Sequence, residues 1–443
     1  MKELVIVGGG FAGVWAALGA VRAQRQTAPG APDVAVTLVS RDRWLTIRPR
    51  LYEASLDDVR VPLDAVLGPA GVARMEGDVR RIDPSTREIT IDRPSGARVL
   101  RYDRLVLAAG SQLHRPALPG IEHAFAVDRF VDAVALQQHL AALSAGPPTS
   151  EGDGRFTAVV AGAGFTGIEV ATELVPRLRN LAARVGTGDR ARVVLVDGAS
   201  MVAPDLGEKA RRYVEQALAA LGIESRTGRA VAAVHGDGVM LSDQEWIPAA
   251  TMVWTAGLRA SALAGQLPVQ RDADGRVPVD AFLRVRGVDS VFAAGDVARA
   301  MADATHVAPM SCQYAIPMGE RAGSNAVAEL LGQPPVPYSQ PNHVTCLDLG
   351  EAGALFMEGW ERETKLTGFW AKMMKQAINT RLIYPPTSAP PRPRRNQPSA
   401  DTTFAQGGLL PLLPLWDTTG LARQAGWEGL AANGRRNRIE RGS

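Results

Sequence analysis

The first apolar run of the chain, Lys2–Val7, is followed by a glycine-rich turn and by a helical pattern over Val14–Gln24 that is rich in alanine and leucine. A short apolar run in this position predicts a strand buried in a parallel sheet. The next apolar run, Ala35–Val39, predicts a second strand. Because a helix lies between the two strands, the pattern indicates a βαβ unit, the repeating element of α/β folds.

The turn after the first strand has the spacing GxGxxG, and its cofactor-binding candidates are Gly8, Gly10, Phe11, Ala12 and Gly13. Gly8 permits the tight turn, Gly10 lets the backbone approach a pyrophosphate, and Gly13 lets the helix pack on the strand. The start of the helix also offers free amide groups to phosphate oxygens. The sequence therefore predicts a dinucleotide site. The alternative is a glycine-rich turn in an unrelated α/β protein.

One position of this unit departs from the usual dinucleotide pattern. The second strand ends at Ser40, where an aspartate or glutamate ordinarily holds the ribose hydroxyls. A serine accepts such a hydrogen bond only weakly. We therefore expect Arg41 or Asp42 to share this contact.

A second copy of the pattern begins at the apolar run Phe156–Val160 and continues into the helical pattern Ile168–Arg179. The cofactor-binding candidates of its turn are Gly162, Gly164, Phe165, Thr166 and Gly167. The next predicted strand, Ala191–Val196, ends at Asp197, which supplies the acid that the first copy lacks. Two such units predict two dinucleotides, and enzymes that bind two usually pass electrons between them.

Asp197 also bears on the choice of nicotinamide cofactor. A carboxylate at this position accepts a hydrogen bond from the ribose 2′-hydroxyl of NADH and repels the 2′-phosphate of NADPH. Arg190 and Arg192 precede the end of the strand and are poorly placed to bind a phosphate. We therefore expect NADH, with NADPH used less well.

Three further buried strands end in small residues, which let the backbone pass close to a cofactor or to another helix. The cofactor-binding candidates at these strand ends are Ala109, Gly110, Ala256, Gly257, Gly295 and Asp296. An acid such as Asp296 can accept a hydrogen bond from a ribitol hydroxyl. The alternative is an ordinary acid at the start of a helix.

These patterns predict an α/β protein with two Rossmann-like three-layer domains, the second nested within the first. The predicted FAD-binding domain is discontinuous and comprises residues 1–118 and 258–335. The predicted NAD(H)-binding domain comprises residues 119–257, and a small α+β segment follows at 336–390.

Composition and charge exclude several other classes of protein. The chain has 443 residues, 46% hydrophobic and 21% charged, with a formal net charge of only +3, so no nucleic-acid partner is indicated. No secretory signal and no run of about 18 apolar residues is visible. Cys312 and Cys346 are the only cysteines and are too far apart in sequence for a redox dithiol or a metal clamp. We therefore expect no metal site and a cytoplasmic protein.

The set of motifs resembles the two-dinucleotide flavoprotein reductase superfamily, and within it most closely the type II NADH dehydrogenases, which reduce membrane quinone without pumping protons. The motifs that carry this resemblance are Gly8–Gly13, Ala108–Ser111, Gly162–Leu174, Thr255–Gly257 and Gly295–Asp296. Two more stretches support it: Arg48–Pro49 is similar to a loop beside the flavin, and Pro309–Gly319 is similar to a helix that faces flavin and quinone.

The resemblance implies site residues beyond the glycine turns. Glu169 would contact the nicotinamide region, and Gln313 would lie near the flavin or the acceptor; both are catalytic candidates. Arg48, Pro49 and Val79 are further flavin-binding candidates. The family has a second glutamine where this chain has Pro317. A proline there removes a helical amide, so we expect an altered acceptor pocket.

The C-terminal part changes character. Val344–Leu349 and Ala354–Trp360 are strand-like, and Thr367–Leu382 combines large apolar residues with lysines. A basic amphipathic helix can lie on an anionic membrane surface, or it can pack on the flavin domain with its lysines in solvent. Residues 391–443 are rich in proline and arginine, and we expect them to be mostly disordered.

Three hypotheses of function follow. The first is an NADH:quinone oxidoreductase, peripheral on the cytoplasmic face of the inner or plasma membrane. The second is a soluble NADH-dependent reductase of a ferredoxin- or rubredoxin-type protein or of oxygen. The third is a non-catalytic flavin-binding redox sensor. The sequence leaves a homodimer open.

Overall fold

The computed structural model describes residues 1–27, 33–145, 154–187 and 190–387, so the tail at 391–443 lies outside the described residues. The helices that position the site, named in chain order, are α1 (Phe11–Arg25), α2 (Leu63–Ala70), α3 (Phe130–Ala142), α4 (Phe165–Arg184), α5 (Glu208–Ala220), α6 (Cys312–Leu330) and α7 (Gly368–Ala377). Short 3₁₀ helices are formed by Arg48–Arg50, Ile121–His123, Ala262–Gln266, Gly295–Val297 and Gly350–Ala352.

The first sheet has five parallel strands. Their order across the sheet is Val291–Ala293, Arg104–Leu107, Lys2–Val7, Val34–Ser40 and Ala73–Glu76. The central strand is fully buried from Leu4 to Ile6, because helices cover both of its faces. One edge strand comes from the C-terminal side of the chain. The first unit is therefore assembled from two separate stretches of sequence.

The second sheet has four parallel strands in the same relation to their glycine turn. Their order is Ile223–Thr227, Arg192–Asp197, Thr157–Ala161 and Thr251–Trp254. As in the first sheet, the strand before the turn lies between the next strand of the unit and a strand from later in the chain. The predicted fold class, two nested dinucleotide folds, is confirmed.

Smaller antiparallel sheets complete the two units. One is formed by Asp78–Asp83, Glu88–Asp92 and Arg98–Arg101, and another by Val231–His235, Gly238–Leu241 and Trp246–Pro248. Two-stranded pairs are Trp44–Thr46 with Arg60–Pro62, which is antiparallel, and Val277–Pro278 with Ala298–Arg299, which is parallel.

The chain crosses between the two units on a two-stranded ribbon. Ser111–Leu113 pairs antiparallel with Leu258–Ala260, so the outgoing and the returning segments are hydrogen-bonded to each other. The ribbon lies close to the predicted changes of domain at residues 118 and 258, whose positions stay predictions.

Helices α1 and α6 pack with their backbones in contact. A Cβ atom added at Gly323 would lie 1.9 Å from the carbonyl oxygen of Ala16, and one added at Gly319 would lie 2.1 Å from that of Ala12. Only glycine allows this approach. The packing holds the start of α6 beside the first glycine turn, and α6 stays helical through Pro317.

The C-terminal segment is an antiparallel sheet followed by α7. Its strands are Val344–Asp348, Ala354–Glu358 and Glu363–Thr367, and α7 continues into a π-helical turn at Ile378–Leu382. The first two strands were predicted, whereas the third was not. Its alternately half-buried residues, Glu363-Thr-Lys-Leu-Thr367, carry too little apolar character to be noticed. Among residues 1–27, 33–145, 154–187 and 190–387, no helix combines the length and hydropathy needed to cross a bilayer.

Candidate active site

The first glycine turn has the geometry of a diphosphate cradle. Gly8 has φ +120°, and an added Cβ there would lie 2.2 Å from the carbonyl oxygen of Ala108. A Cβ at Gly13 would lie 1.8 Å from the carbonyl oxygen of Gly8, whereas one at Gly10 would meet no atom within 4 Å. Helix α1 begins at Phe11 with no side chain capping its first amides. Free amides therefore face open space, which suits a diphosphate.

The second turn repeats this geometry. Gly162 has φ +110°, a Cβ at Gly167 would lie 1.7 Å from the carbonyl oxygen of Gly162, and one at Gly164 would meet nothing within 4 Å. Gly164 has φ −81° and ψ −172°, close to the −83° and −168° of Gly10. The first amides of α4 are likewise uncapped by a side chain. Both turns fit a dinucleotide.

Each turn is flanked by one of the small-residue strand ends. A Cβ at Gly8 would meet the backbone of Ala108 and Ala109, and one at Gly162 would meet Thr255 and Ala256. Each of these two segments closes with a glycine of positive φ: Gly110 at +66° and Gly257 at +81°. They run directly into the ribbon Ser111–Leu113 and Leu258–Ala260. The ribbon thus joins the surroundings of one turn to those of the other.

Asp197 lies against the second turn. Its Oδ2 accepts a hydrogen bond from the amide of Ala163 at 2.5 Å, and its Oδ1 accepts one from the amide of Ala199 at 2.7 Å. The six residues after it contain no lysine or arginine. A surface cavity of about 260 Å³ opens beside this loop, between Ser200–Val202 and Thr227.

Ser40 occupies the equivalent place beside the first turn. A Cβ on Gly9 would lie 2.9 Å from that of Ser40. The Ser40 hydroxyl donates to the carbonyl oxygen of Asp42 at 2.5 Å, and the Asp42 carboxylate accepts from the amide of Trp44. The Arg41 side chain is 71% exposed and forms a long ion pair, at 3.9 Å, with Asp78. Arg41 is therefore the freer of the two residues that were expected to share the contact of Ser40 with the ribose.

The remaining flavin-binding candidates lie in three different settings. Pro49 lies in the 3₁₀ turn Arg48–Arg50 next to the site, whereas Val79 is buried in the core of the first unit. Gly295 packs against α1, since a Cβ there would lie 2.8 Å from that of Ala12.

Arg48 and Asp296 come together in a polar network. Ser111 Oγ donates to Asp296 Oδ2 at 2.6 Å, and Arg48 Nη1 lies 3.6 Å from the same oxygen. Arg48 also forms an ion pair with Asp128, which accepts from the amide of Leu113 at 3.1 Å. Asp128 was not predicted, because it lies in no motif and nothing local signals its role.

Glu169 lies on the first turns of α4 and faces the C-terminal segment. Its Oε1 is 2.8 Å from Lys375 Nζ on α7 and accepts from the amide of Asp348 at 3.0 Å. Lys375 also donates to the carbonyl oxygen of Cys346 at 3.0 Å. The two side chains are only 10% and 9% exposed. The sequence predicted Glu169 but not its partner.

Burial shapes the proton affinity of this pair. It raises the pKa of Glu169, and the Lys375 ammonium only partly opposes this. Burial alone would lower the pKa of Lys375, but the Glu169 carboxylate raises it above its ordinary value. Burial thus favours the neutral acid of Glu169, whereas an ionised Glu169 favours the Lys375 ammonium, so the protonation of each side chain depends on the other.

Cys312 lies at the start of α6, where charges of this pair and of the polar network both affect its thiol. Burial raises the pKa of Cys312 to about 11, with Lys375 acting to lower it and Asp296 to raise it. The thiol therefore lies within electrostatic reach of both groups, at the start of α6. Charges of the Glu169–Lys375 pair and of the Arg48–Asp296 network therefore both act on the start of α6.

Gln313, the other catalytic candidate, follows Cys312 on α6. Its Nε2 donates to the carbonyl oxygen of Asn342 at 2.9 Å, and its Oε1 accepts from the amide of Val344 at 3.3 Å. Both ends of the amide therefore hold the C-terminal sheet against α6. The catalytic roles of Gln313 and Glu169 stay predictions.

An apolar surface lies close to the buried pair. Phe369, Trp370 and Met373 on α7 are exposed by 66%, 67% and 43%, while Lys375 on the same helix is buried. We call these three side chains the α7 apolar face.

Comparisons with known proteins agree with this architecture. The chain is 52% identical over 387 residues to an NADH dehydrogenase-like protein of Mycobacterium tuberculosis, covering 87% of this chain and 95% of the relative. It is 26% identical to a type II NADH:quinone oxidoreductase of Staphylococcus saprophyticus, with 86% and 95% covered. The fold is similar to that of NDH2 from Plasmodium falciparum, with a TM-score of 0.74, 14% identity and 86% and 95% covered.

The family described as pyridine nucleotide-disulphide oxidoreductase matches residues 2–319. This match confirms the predicted superfamily, the enzyme class and the use of FAD with a pyridine nucleotide. The chain belongs to the pyridine nucleotide-disulphide oxidoreductase family.

Proposed function

We propose that the chain oxidises NADH through FAD and passes the electrons to a quinone at a membrane surface. The observation that carries the proposal is that two glycine turns of the same geometry are joined through one hydrogen-bonded ribbon. Two dinucleotides bound at such turns would both approach the crossing between the two units, where electrons can pass from one to the other.

The residues of the first turn fit FAD. The uncapped amides of α1 and the open space at Gly10 would hold the diphosphate, and Asp296 with Arg48 would bind further along the cofactor. When bound, FAD supplies the capacity to accept a hydride and to give up two electrons. The chain itself needs only to bind, to orient and to handle protons.

NADH is the expected electron donor. Gly164 and the amides of α4 would hold its diphosphate, and Asp197 would accept a hydrogen bond from its ribose. The loop that follows Asp197 itself supplies no lysine or arginine to bind a 2′-phosphate. The NADH-specific names of the relatives support this preference.

The Glu169–Lys375 pair favours an acceptor that takes up protons. NADH delivers two electrons and one proton as a hydride, whereas a quinone becomes a quinol with two electrons and two protons. One proton per turnover must therefore come from solvent. Iron–sulphur proteins of the ferredoxin or rubredoxin type take electrons alone, so that with them one proton per turnover would be released and none taken up.

The α7 apolar face supports access from a membrane. Phe369 and Trp370 are aromatic and exposed, as in helices that lie at the boundary of headgroups and acyl chains. A lipid-soluble quinone would then reach the enzyme near Lys375. The relative named as an NADH:quinone oxidoreductase favours the same acceptor.

A panel of acceptors tests the proposal. Purified protein is mixed anaerobically with NADH and either a short-chain ubiquinone, a menaquinone analogue, a ferredoxin or a rubredoxin, and oxygen is tested separately. We expect the highest kcat/KM with one of the quinones. We also expect the wild-type enzyme to bind anionic vesicles more strongly than the Trp370→Ser variant does. Reduction of the iron–sulphur proteins without quinone reduction would select a soluble reductase instead.

A further inference from the structure

A second ion pair lies directly behind the Glu169–Lys375 pair. Asp348 is 7% exposed, and its backbone amide donates to Glu169. Its carboxylate forms an ion pair with Lys372 and accepts a hydrogen bond at 3.3 Å from the Tyr52 hydroxyl. Asp348 is thus held by three separate parts of the chain: the loop at Tyr52, α4 and α7.

The charges alternate from the interior towards the surface. The side chains of Glu169, Lys375 and Asp348 are exposed by about a tenth each, whereas Lys372 is exposed by 24%. Lys372 Nζ also donates to the carbonyl oxygen of Gly350 at 3.1 Å. On α7 it follows Phe369 by three residues and so lies next to it on the helix surface, and the cluster reaches solvent beside the α7 apolar face.

We propose that Lys372 and Asp348 are positioning residues that connect the Glu169–Lys375 pair to solvent at α7 and control its proton exchange. The inference rests on the proposed function, in which NADH, one solvent proton and a quinone give NAD⁺ and a quinol. The solvent proton replaces the one that the Glu169–Lys375 pair gives up. No further oxidant or reductant takes part.

Asp348 and Lys372 have opposite effects on the pKa of Glu169. The Asp348 carboxylate acts to raise the pKa of Glu169, and Lys372 neutralises that carboxylate. Removing the charge of Lys372 leaves Asp348 unpaired and disfavours the Glu169 carboxylate further, whereas removing the charge of Asp348 relieves it. Besides the four members of the cluster, the titratable groups that face it are Tyr52, Glu53, Glu173, Cys312 and Cys346.

Lys372→Met and Asp348→Asn test the proposal in the full-length, FAD-loaded enzyme. Quinone reduction is measured against pH, and the carboxyl stretch of Glu169, assigned with Glu169→Gln, is titrated by infrared spectroscopy. We expect the midpoint of both titrations to rise by about one pH unit in Lys372→Met and to fall by about one unit in Asp348→Asn. The loss of rate should be smaller with ferricyanide, an acceptor that takes no proton.

Lys365→Met is the matched control. It removes the same charge from the same segment, but Lys365 is 40% exposed and pairs with the exposed Glu363. We expect no shift in this variant. If Asp348→Asn does not fold, Lys372→Met and its charge-keeping partner Lys372→Arg decide alone, since only the methionine should shift the midpoint.

The inference about the cluster and the proposed function can fail separately. If Lys372→Met leaves both midpoints unchanged, or if both substitutions shift them in the same direction, the inference is overturned. If the wild-type enzyme reduces no quinone, the proposed function fails. The infrared midpoint of Glu169 still decides the inference about the cluster in that case.

Discussion

Replacing Gly164 with alanine should weaken NADH binding while leaving FAD in place. The backbone at Gly164, with φ −81° and ψ −172°, is open to alanine, and the new Cβ would meet no protein atom within 4 Å. The apoprotein should therefore fold normally. The Cβ would instead occupy the space that the NADH diphosphate requires.

The size of the effect follows from overpacking. Forcing one extra carbon into a filled site costs about 1–3 kcal/mol. At 1.4 kcal/mol per tenfold change, this corresponds to a Kd for NADH raised by about 5- to 150-fold. Gly10→Ala should act in the same way on FAD, so this variant should be purified with a reduced flavin content.

Gly207→Ala provides the control for both variants. Gly207 also precedes a helix, α5, has an extended backbone, and has no atom within 4 Å of an added Cβ. Titration calorimetry with NADH, together with the flavin absorbance of each purified variant, measures the effects. An unchanged Kd in Gly164→Ala, or an equal loss in Gly207→Ala, would refute the assignment of the second turn.

Three more predictions follow from the geometry. Asp197→Ala should lower the ratio of kcat/KM for NADH over NADPH by about tenfold, since one hydrogen bond to a charged group is lost; an unchanged ratio would contradict the assigned role. Gly323→Ala should lower the free energy of unfolding by about 1–3 kcal/mol, because its Cβ would lie 1.9 Å from the Ala16 carbonyl oxygen, whereas Gly68→Ala, in open space on α2, should not destabilise. Burial lowers the pKa of His343 to about 4. Below about pH 6.5 the unfolded chain takes up a proton on His343, whereas the folded chain does so only near pH 4. The free energy of unfolding should therefore fall by at most about 3 kcal/mol as the pH falls from about 6.5 towards 4, and denaturant titrations should show a flatter pH dependence in His343→Gln.

The two glycine turns could be predicted from sequence because each glycine meets a local requirement of the backbone. Gly8 and Gly162 need positive φ, and Gly13 and Gly167 need close packing. Such requirements are written within six consecutive residues. The helices nevertheless begin at the first residue after the second glycine of each turn, three residues earlier than predicted, because the turn itself forms the first helical turn.

The partners of Glu169 could not be predicted in the same way. Lys375 and Asp348 approach it only because the C-terminal sheet packs against α4, and that packing depends on many side chains distant in sequence. Asp128 was missed for a similar reason, since it meets Arg48 only after the ribbon has formed. Sequence patterns predict local backbone requirements well, but they predict contacts between side chains distant in sequence poorly.

The proposed function requires that this one chain hold FAD and NADH together so that electrons pass between them. Anaerobic titration of the purified protein with NADH tests it most directly, by the visible absorbance of oxidised flavin. We expect the absorbance to be lost with about one NADH per flavin, since each hydride carries two electrons. Protein that contains no flavin, or flavin that keeps its oxidised absorbance in excess NADH, would contradict the claim.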